Sequence, residues 1–305
     1  MSSDIIGTTR PSGAGRTARA GGSARSTGTA VLWDRAKTIL IHIELAVLAV
    51  VVIYPLVWVV GASFGATGGL AQASAIPSDP SLGNYVRLLT ATDFPRWYLN
   101  SLIVATSNMV LSVVISALSA YIFSRLRFRG RTFALTSMLI LQIFPAFLSA
   151  IAVYMLFLNF GLLDSLTGLI VASLAAQLPY NTWLLKGYVD GISTSFDEAA
   201  LIDGASRTRI FTHIILPLMK PMLTFVAITQ FAVPWMDFIL PKLLISSPQH
   251  KTIAIGLFEM IADETRNEFT TFAAGAVLVA VPITILYVVL QKHLISGLTA
   301  GGEKG

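Results

Sequence analysis

Long apolar stretches constrain this chain more than any other feature. Each is close to the length of about 20 residues that a helix needs to cross a bilayer. Six can be drawn, at roughly Ile39–Phe64, Tyr98–Ser124, Phe133–Phe160, Ser165–Leu185, Pro221–Ile245 and Thr271–Ile295. Only 12% of the 305 residues are charged, against about 25% in soluble domains. The pattern predicts an all-α polytopic membrane protein with six transmembrane helices.

Loop charges predict the orientation of these spans, because Lys and Arg concentrate in cytoplasmic loops. Of the 21 Lys and Arg residues, 16 lie in the N-terminal segment, the second and fourth loops and the C-terminus. We therefore expect both chain ends in the cytoplasm. Residues 1–37, rich in Ser, Gly, Ala and Arg, are expected to form a disordered basic tail, and residues 38–296 to form the six-helix domain.

Several other classes of protein are disfavoured by composition. The chain has no cysteine, which excludes disulfides and thiolate chemistry. Its four histidines are scattered without metal-ligand spacing, so neither a metal site nor a membrane enzyme is predicted, and no cofactor is expected. The net charge of +5 is not gathered into a basic domain, which argues against nucleic-acid binding. No nucleotide-binding motif is present, so ATP hydrolysis would have to come from a partner.

A compact polar stretch, STSFDEAALIDGASRTRIFTHIILP, separates the fourth and fifth spans. Ser195 and Glu198 have the spacing of a capping box at a helix start, and Gly204 suits the position just after a helix end. Ser206 can cap a second helix, whose apolar residues recur at helical spacing. These are Phe211, Ile214, Ile215 and Leu218, before Pro217 and Pro221 limit the helix.

The first of these two short helices has a surface of small side chains, at Ala199, Ala200, Gly204 and Ala205, flanked by Glu198 and Asp203. A loop that only connects two spans needs just a few residues. Two interpretations follow from the spacing. The helix is a knob that docks into a groove of another protein, or it is half of a hairpin that packs under its own bundle.

This stretch resembles the EAA loop of ABC-importer permease subunits, with Glu198-Ala199-Ala200, Asp203-Gly204-Ala205, Phe211 and Ile214 to Pro217 at matching positions. In that family the loop is cytoplasmic and lies between the fourth and fifth of the last six helices. Further segments resemble the smaller permease of maltose- and maltodextrin-type importers. They are Trp97 to Ala105, Ser119 to Arg131, Gln142 to Ala146, Lys186 to Ile192 and Ser296 to Gly305.

The resemblance, which covers about residue 38 to the end, implies a permease of an ATP-driven importer in the bacterial cell membrane. The substrates would be maltose- or maltodextrin-like oligosaccharides, or another sugar or polyol. The partners would be a second permease subunit in a heterodimer, a cytoplasmic dimer of ATP-binding subunits, an extracytoplasmic sugar-binding protein and membrane lipid.

The resemblance also implies two contacts with the ATPase. The cytoplasmic coupling loop, residues 189–220, would dock a short helix through Glu198, Ala199, Ala200, Asp203, Gly204, Ala205, Phe211 and Pro217. The C-terminal tail, residues 297–305, would reach the ATPase through Gly297, Leu298, Thr299, Gly301 and Gly302.

Polar residues within the spans are candidates for the pathway, because ionisable groups are costly at membrane depth. Asp237 lies close to the outer end of the fifth span and follows Trp235, and the resemblance implies that this position is near an outer gate. Gln230 and Asn181 are further pathway candidates. Buried amides also hold helices together, and that alternative stays open. A different class, the ion-coupled secondary transporter, would show several charges within the spans and repeated halves. Only one such acid stands out here, and no repeat is visible.

Overall fold

The computed structural model describes residues 28–143, 146–262 and 268–302, and within these ranges all regular secondary structure is helical. The helices are α1 (Gly28–Ser63), α2 (Gly83–Ala91), α3 (Phe94–Arg125), α4 (Arg131–Ile143), α5 (Ala146–Asn159), α6 (Leu166–Asp190), α7 (Ser195–Ile202), α8 (Arg207–Leu218), α9 (Lys220–Met236), α10 (Ile239–Leu244), α11 (Ile253–Ala262) and α12 (Phe269–Gly302). Short 3₁₀ turns lie at Leu70–Gln72 and Pro248–His250. The all-α prediction is confirmed.

Three helices in the described ranges are long and apolar enough to cross a membrane: Arg35–Ser63 of α1, all of α3, and Phe269–Val289 of α12. A fourth candidate is the pair α8 and α9, which meet at an angle of 76°. Their apolar side chains are largely exposed, as expected for helices whose solvent is lipid.

The remaining predicted spans are built differently, and six spans therefore stay a prediction. The third is divided into α4 and α5, and the fifth into α9 and α10. The fourth is one helix, α6, whose 25 residues extend over about 37 Å. Prolines lie inside four of the helices, at Pro55 of α1, Pro179 of α6, Pro234 of α9 and Pro282 of α12.

The chain divides by its internal contacts into residues 1–54 and 55–305. The first unit is described from Gly28, where α1 begins, so residues 1–27 of the predicted tail lie outside the described residues. The second unit contains the core. There α3 packs against α6 and α9 through small buried side chains that let the backbones approach closely. These are Ser101, Ala105, Asn108, Ser112, Ser116, Ala117 and Ala120.

Two apolar clusters lie at opposite ends of α3. Phe94 and Trp97 at its beginning pack with Trp235, Ile253 and Leu257. Ala117, Ala120 and Tyr121 near its end pack with residues of α6, α7, α8 and α9, among them Leu185, Ala200, Ile210 and Phe211. The polar stretch between α6 and α9 is therefore built onto the end of the bundle rather than separated from it.

Candidate functional site

The candidate coupling helix is α7, Ser195–Ile202. The predicted capping box does not form, and α7 begins one residue earlier than predicted. Thr194 is the N-cap and its side chain makes no capping bond, while Ser195 is already helical and donates its N–H to the Ser193 Oγ at 3.3 Å. Asp197 and Glu198 lie in the first turn, where carboxylates interact favourably with the helix dipole.

A glycine ends α7, as the sequence predicts. Gly204 follows the C-cap residue Asp203 and has a φ of +80°, in the left-handed region that favours glycine. Its N–H donates to the Leu201 carbonyl at 3.1 Å, and the Ala205 N–H donates to the Ala200 carbonyl at 2.9 Å. This pair of bonds is the Schellman motif. It turns the chain sharply toward α8.

Helix α8 begins as predicted, with the Ser206 Oγ accepting the Arg209 N–H at 3.3 Å. Its middle, Phe211–Ile215, forms a wider π turn. The extra residue in that turn shifts the buried face, so that Met219 is buried and Leu218 is 40% exposed. The prediction that Leu218 continues the apolar face is therefore wrong, because it assumed regular α-helical spacing.

A buried ion pair fastens α7 to the end of α3. Arg125 Nε donates to Asp197 Oδ2 at 3.0 Å, and the two side chains are only 7% and 10% exposed. Arg125 Nη2 also donates to the Ile192 carbonyl at 2.7 Å. The sequence interpretation missed this pair. It used the basic residues of the second loop, Arg125 among them, only to predict topology.

The predicted coupling residues divide between two faces. Glu198, Ala199, Asp203, Gly204 and Pro217 are exposed, and Ala205 is half-buried. Ala200 and Phe211 are buried in the chain's own core, Ala200 to 9% exposure. The hairpin interpretation therefore holds for one face of α7, which packs under the bundle. The other face is exposed, and its docking into another protein stays a prediction.

The free face of α7 carries larger apolar side chains that the sequence interpretation did not select. Ile202 is 87% exposed, and Phe196 and Leu201 are about half-exposed. A residue of this kind at such exposure, between Glu198 and Asp203, is typical of a surface that another protein covers. We call Phe196, Ala199, Leu201 and Ile202 the α7 apolar face.

The four pathway candidates are not brought together. Gln230 and Asp237 line a cavity of about 60 Å³, together with Asn108, Ser173, Ala176, Gln177, Val233, Pro234 and Leu240. Gln230 Oε1 accepts from Ser112 Oγ at 3.4 Å, which holds α9 to α3. Trp235 packs instead against Tyr98, with ring centroids 5.0 Å apart. Asn181 is buried outside this cavity.

The opposite end of the bundle is held by polar contacts between loops. Asp164, with a φ of 53°, accepts the N–H groups of Ser246 and Ser247 at 3.0 and 2.8 Å. Partial burial alone would raise the pKa of Asp164, but these bonds and those of the Ser247 hydroxyl, with His250 nearby, hold it below 3.8. Asp164 therefore joins two loops as a carboxylate.

A second polar group at that end is centred on Glu259. It pairs with Lys242 at 2.8 Å and with Lys251 at 2.5 Å. Partial burial would raise the pKa of Glu259, but the two lysines hold it below 4.5. Within the described residues, no three His, Asp or Glu side chains are grouped to hold a metal ion.

The predicted C-terminal contact falls at the end of α12. Gly297, Leu298, Thr299, Gly301 and Gly302 all belong to this helix, which ends at Gly302. Residues 303–305 lie outside the described residues.

Comparison with known proteins gives one consistent result. Residues 112–299 match the family described as binding-protein-dependent transport system inner membrane component. The chain is 42% identical over 267 residues to the galactooligosaccharides transport system permease protein GanQ of Bacillus subtilis (strain 168), covering 87% of this chain and 94% of that one. It is 41% identical over 264 residues to the maltodextrin transport system permease protein MdxG of the same organism, covering 87% and 95%.

More distant relatives extend the same picture. The maltose/maltodextrin transport system permease protein MalG of Escherichia coli (strain K12) is 33% identical over 290 residues, covering 89% of this chain and 97% of that one. A chain in the crystal structure of a bacterial ABC transporter involved in the import of the acidic polysaccharide alginate superposes with a TM-score of 0.76 at 25% identity. That match covers 85% of this chain and 96% of the other.

Proposed function

Since this chain belongs to the family of binding-protein-dependent transport system inner membrane components, we propose that it is the permease subunit of an ABC importer for maltodextrin-like oligosaccharides. It is a multi-pass protein of the cell membrane and forms half of the translocation pathway. The oligosaccharide class is supported by relatives whose names specify galactooligosaccharides, maltodextrin and maltose.

One observation carries the coupling part of this proposal. The α7 helix is fastened from beneath by the buried Arg125–Asp197 pair, while its α7 apolar face is open. One side of α7 is rigidly attached to the bundle and the other side is apolar. Such a helix is suited to bind a partner protein and to transmit the partner's movement to the bundle. We assign that partner as the separate ATP-binding subunit, with Glu198 and Asp203 at the rim of the contact.

The sidedness of the bundle agrees with the loop charges. Segments predicted to be cytoplasmic contact one another, as Arg125 contacts Asp197 and Ile192. Segments predicted to be outside do the same, as Asp164 contacts Ser246 and Ser247. This grouping supports six spans with both termini in the cytoplasm.

The proposed mechanism is alternating access. Closure of the ATPase dimer displaces α7, and the bundle moves relative to a second permease subunit that completes the pathway. Such a change requires contacts that differ between the two states. The 76° bend between α8 and α9, next to the π turn, is the joint at which the loop meets the span. The family description specifies dependence on a binding protein, and we assign to that protein the delivery of the sugar from outside the membrane.

Site-directed cross-linking tests the proposal directly, because the chain has no native cysteine. Ala199→Cys should cross-link to the ATP-binding subunit in membranes, whereas Thr92→Cys, at the opposite end of the bundle, should not. In cells, oligosaccharide uptake should stop on ATP depletion and continue when an ionophore collapses the ion gradients. Uptake that follows the ion gradients, with no ATPase adduct at position 199, would establish the secondary-transporter alternative.

A further inference from the structure

Helix α3 is tied by polar side chains to loops at both of its ends. At its end, Arg125 binds Asp197 and the Ile192 carbonyl in the coupling loop. Near its beginning, Asn100 Nδ2 donates to the carbonyls of Gln249 and Lys251, both at 2.9 Å. The helix has 32 residues and is about 48 Å long, so it is long enough to reach from one headgroup region of a bilayer to the other.

A third contact strengthens the second tie. Ser101 Oγ accepts the N–H of Ile253 at 2.9 Å, and this N–H belongs to the first turn of α11, where it has no partner within its own helix. Asn100 and Ser101 are buried. Together they fix the segment from residue 249 to residue 253 onto α3 through its backbone.

The groups that Asn100 and Arg125 bind distinguish these contacts from ordinary packing between spans. Amides that hold spans together bind groups on another span, as Gln230 on α9 binds Ser112 on α3. Asn100 binds backbone carbonyls of a loop, and Arg125 binds the Ile192 carbonyl in the turn after α6. Each therefore fixes the position of a loop that would otherwise move independently of the bundle.

The sequence of α3 is suited to transmit movement. Prolines lie inside α1, α6, α9 and α12, and prolines bend helices and weaken their hydrogen bonding. In α3 the only proline is in the first turn, and the helix contains no glycine. A displacement at one end is therefore carried to the other with little bending.

We propose that α3 is a strut between the coupling loop and the outer segment 249–253, with Arg125 and the pair Asn100 and Ser101 as its positioning residues. The proposal rests on the proposed function, which places the ATPase at one end of α3 and the sugar-binding protein at the other. A displacement of the outer segment 249–253 by the binding protein is then passed through α3 to α7. The two partners are coupled without contact between them.

The first experiment measures ATP hydrolysis by the assembled importer in lipid nanodiscs, with and without sugar-loaded binding protein. Three variants test the ties: Ser101→Ala, Asn100→Leu and Arg125→Gln. Each should still bind the ATP-binding subunit. In each, the increase in ATP hydrolysis caused by the binding protein should be about tenfold smaller than in wild type, within the usual range of coupling between sites. Arg125→Lys should retain part of the stimulation by the binding protein, because the lysine keeps the ion pair with Asp197 but not the bond to the Ile192 carbonyl.

Two control variants are matched to these. Ser116 is as buried as Ser101, but its hydroxyl bonds within α3 to Ser112, so Ser116→Ala should leave the stimulation unchanged. Arg127 is exposed two residues after Arg125, and Arg127→Gln should also behave as wild type. Wild-type stimulation in Asn100→Leu and Ser101→Ala, or an equal loss in the control variants, would overturn the proposal.

A second experiment compares the cross-linked and the free form of one variant, so that both forms carry the same substitutions. With Ser101→Cys and Ile253→Cys, a short thiol cross-linker locks α3 to the outer segment. If the two move as one body, the locked importer should transport at least as fast as the unlocked one, because the cross-link replaces the tie that Ser101→Cys removes; a large loss of transport on locking would refute the strut. An importer that binds no ATPase even as wild type would instead refute the proposed function.

Discussion

Replacing Ile202 by Ala should weaken binding of the ATP-binding subunit without destabilising the permease. Ile202 is 87% exposed, so nearly all of its apolar surface is available to a partner. The change removes three carbon atoms, each worth about 0.8 kcal/mol on full burial, or about 2.4 kcal/mol together. At 1.4 kcal/mol for each factor of ten, the Kd should rise about fiftyfold, or about sevenfold if docking buries only half of the side chain.

The assay is a titration of the ATP-binding subunit onto the permease held in nanodiscs. Thermal unfolding of the permease alone should be unchanged, because Ile202 makes few internal contacts and Ala has the higher helix propensity. Ile210→Ala is the matched control, with the opposite expected effect on stability. Ile210 is 1% exposed in the core under the loop, so its loss should cost about 2 to 5 kcal/mol of stability.

These two variants separate docking from folding. A Kd for Ile202→Ala within about twofold of wild type would mean that the α7 apolar face is not covered by the ATPase, since even half burial predicts more. An equal loss of stability in both variants would mean that Ile202 is packed inside the permease.

Three further predictions concern the loop ends and the outer contacts. Gly204→Ala should lower stability by about 1 to 2 kcal/mol through the left-handed backbone alone, because no atom lies within 4 Å of the added Cβ; thermal unfolding measures it. The Asp164 pKa is lowered in the folded chain, so its contribution is fully present above its ordinary pKa and is lost as the pH falls through the lower folded pKa. Over that range the protection of the Ser246 and Ser247 amides against hydrogen exchange should fall, as it should in Asp164→Asn at pH 6. Glu259→Gln removes two partly exposed ion pairs and should cost about 1 kcal/mol or less, a difference that high salt abolishes in unfolding measurements.

Local pattern predicts the helices well and their ends less well. The apolar runs gave the all-helical class, and the glycine gave the end of α7. The start of α7 was misplaced because Thr194 and Ser195 are adjacent hydroxyl residues, and only the backbone angles decide which one caps. Leu218 was misassigned because a π turn changes the helical period, and no residue in the sequence announces it.

Contacts between residues that are far apart along the chain could not be predicted from the sequence. Arg125 and Asp197 are separated by 72 positions, and each has a sufficient local explanation, one as a topology signal and one as a first-turn carboxylate. Only the packing of α7 under the bundle turns them into a pair. The same is true of Asn100, whose side chain reaches carbonyls 149 and 151 positions away.

The two alanines of the coupling motif show why small residues there have two separate roles. Ala200 is buried against the core, and a larger side chain would clash within the permease itself. Ala199, one residue earlier, is exposed and is free to meet a partner. A loss of transport in an Ala200 variant therefore says little about docking, whereas a loss in an Ala199 variant with unchanged stability reports on it. The motif combines a residue that lets α7 approach its own bundle with one that, in the proposed complex, would let the ATPase approach α7.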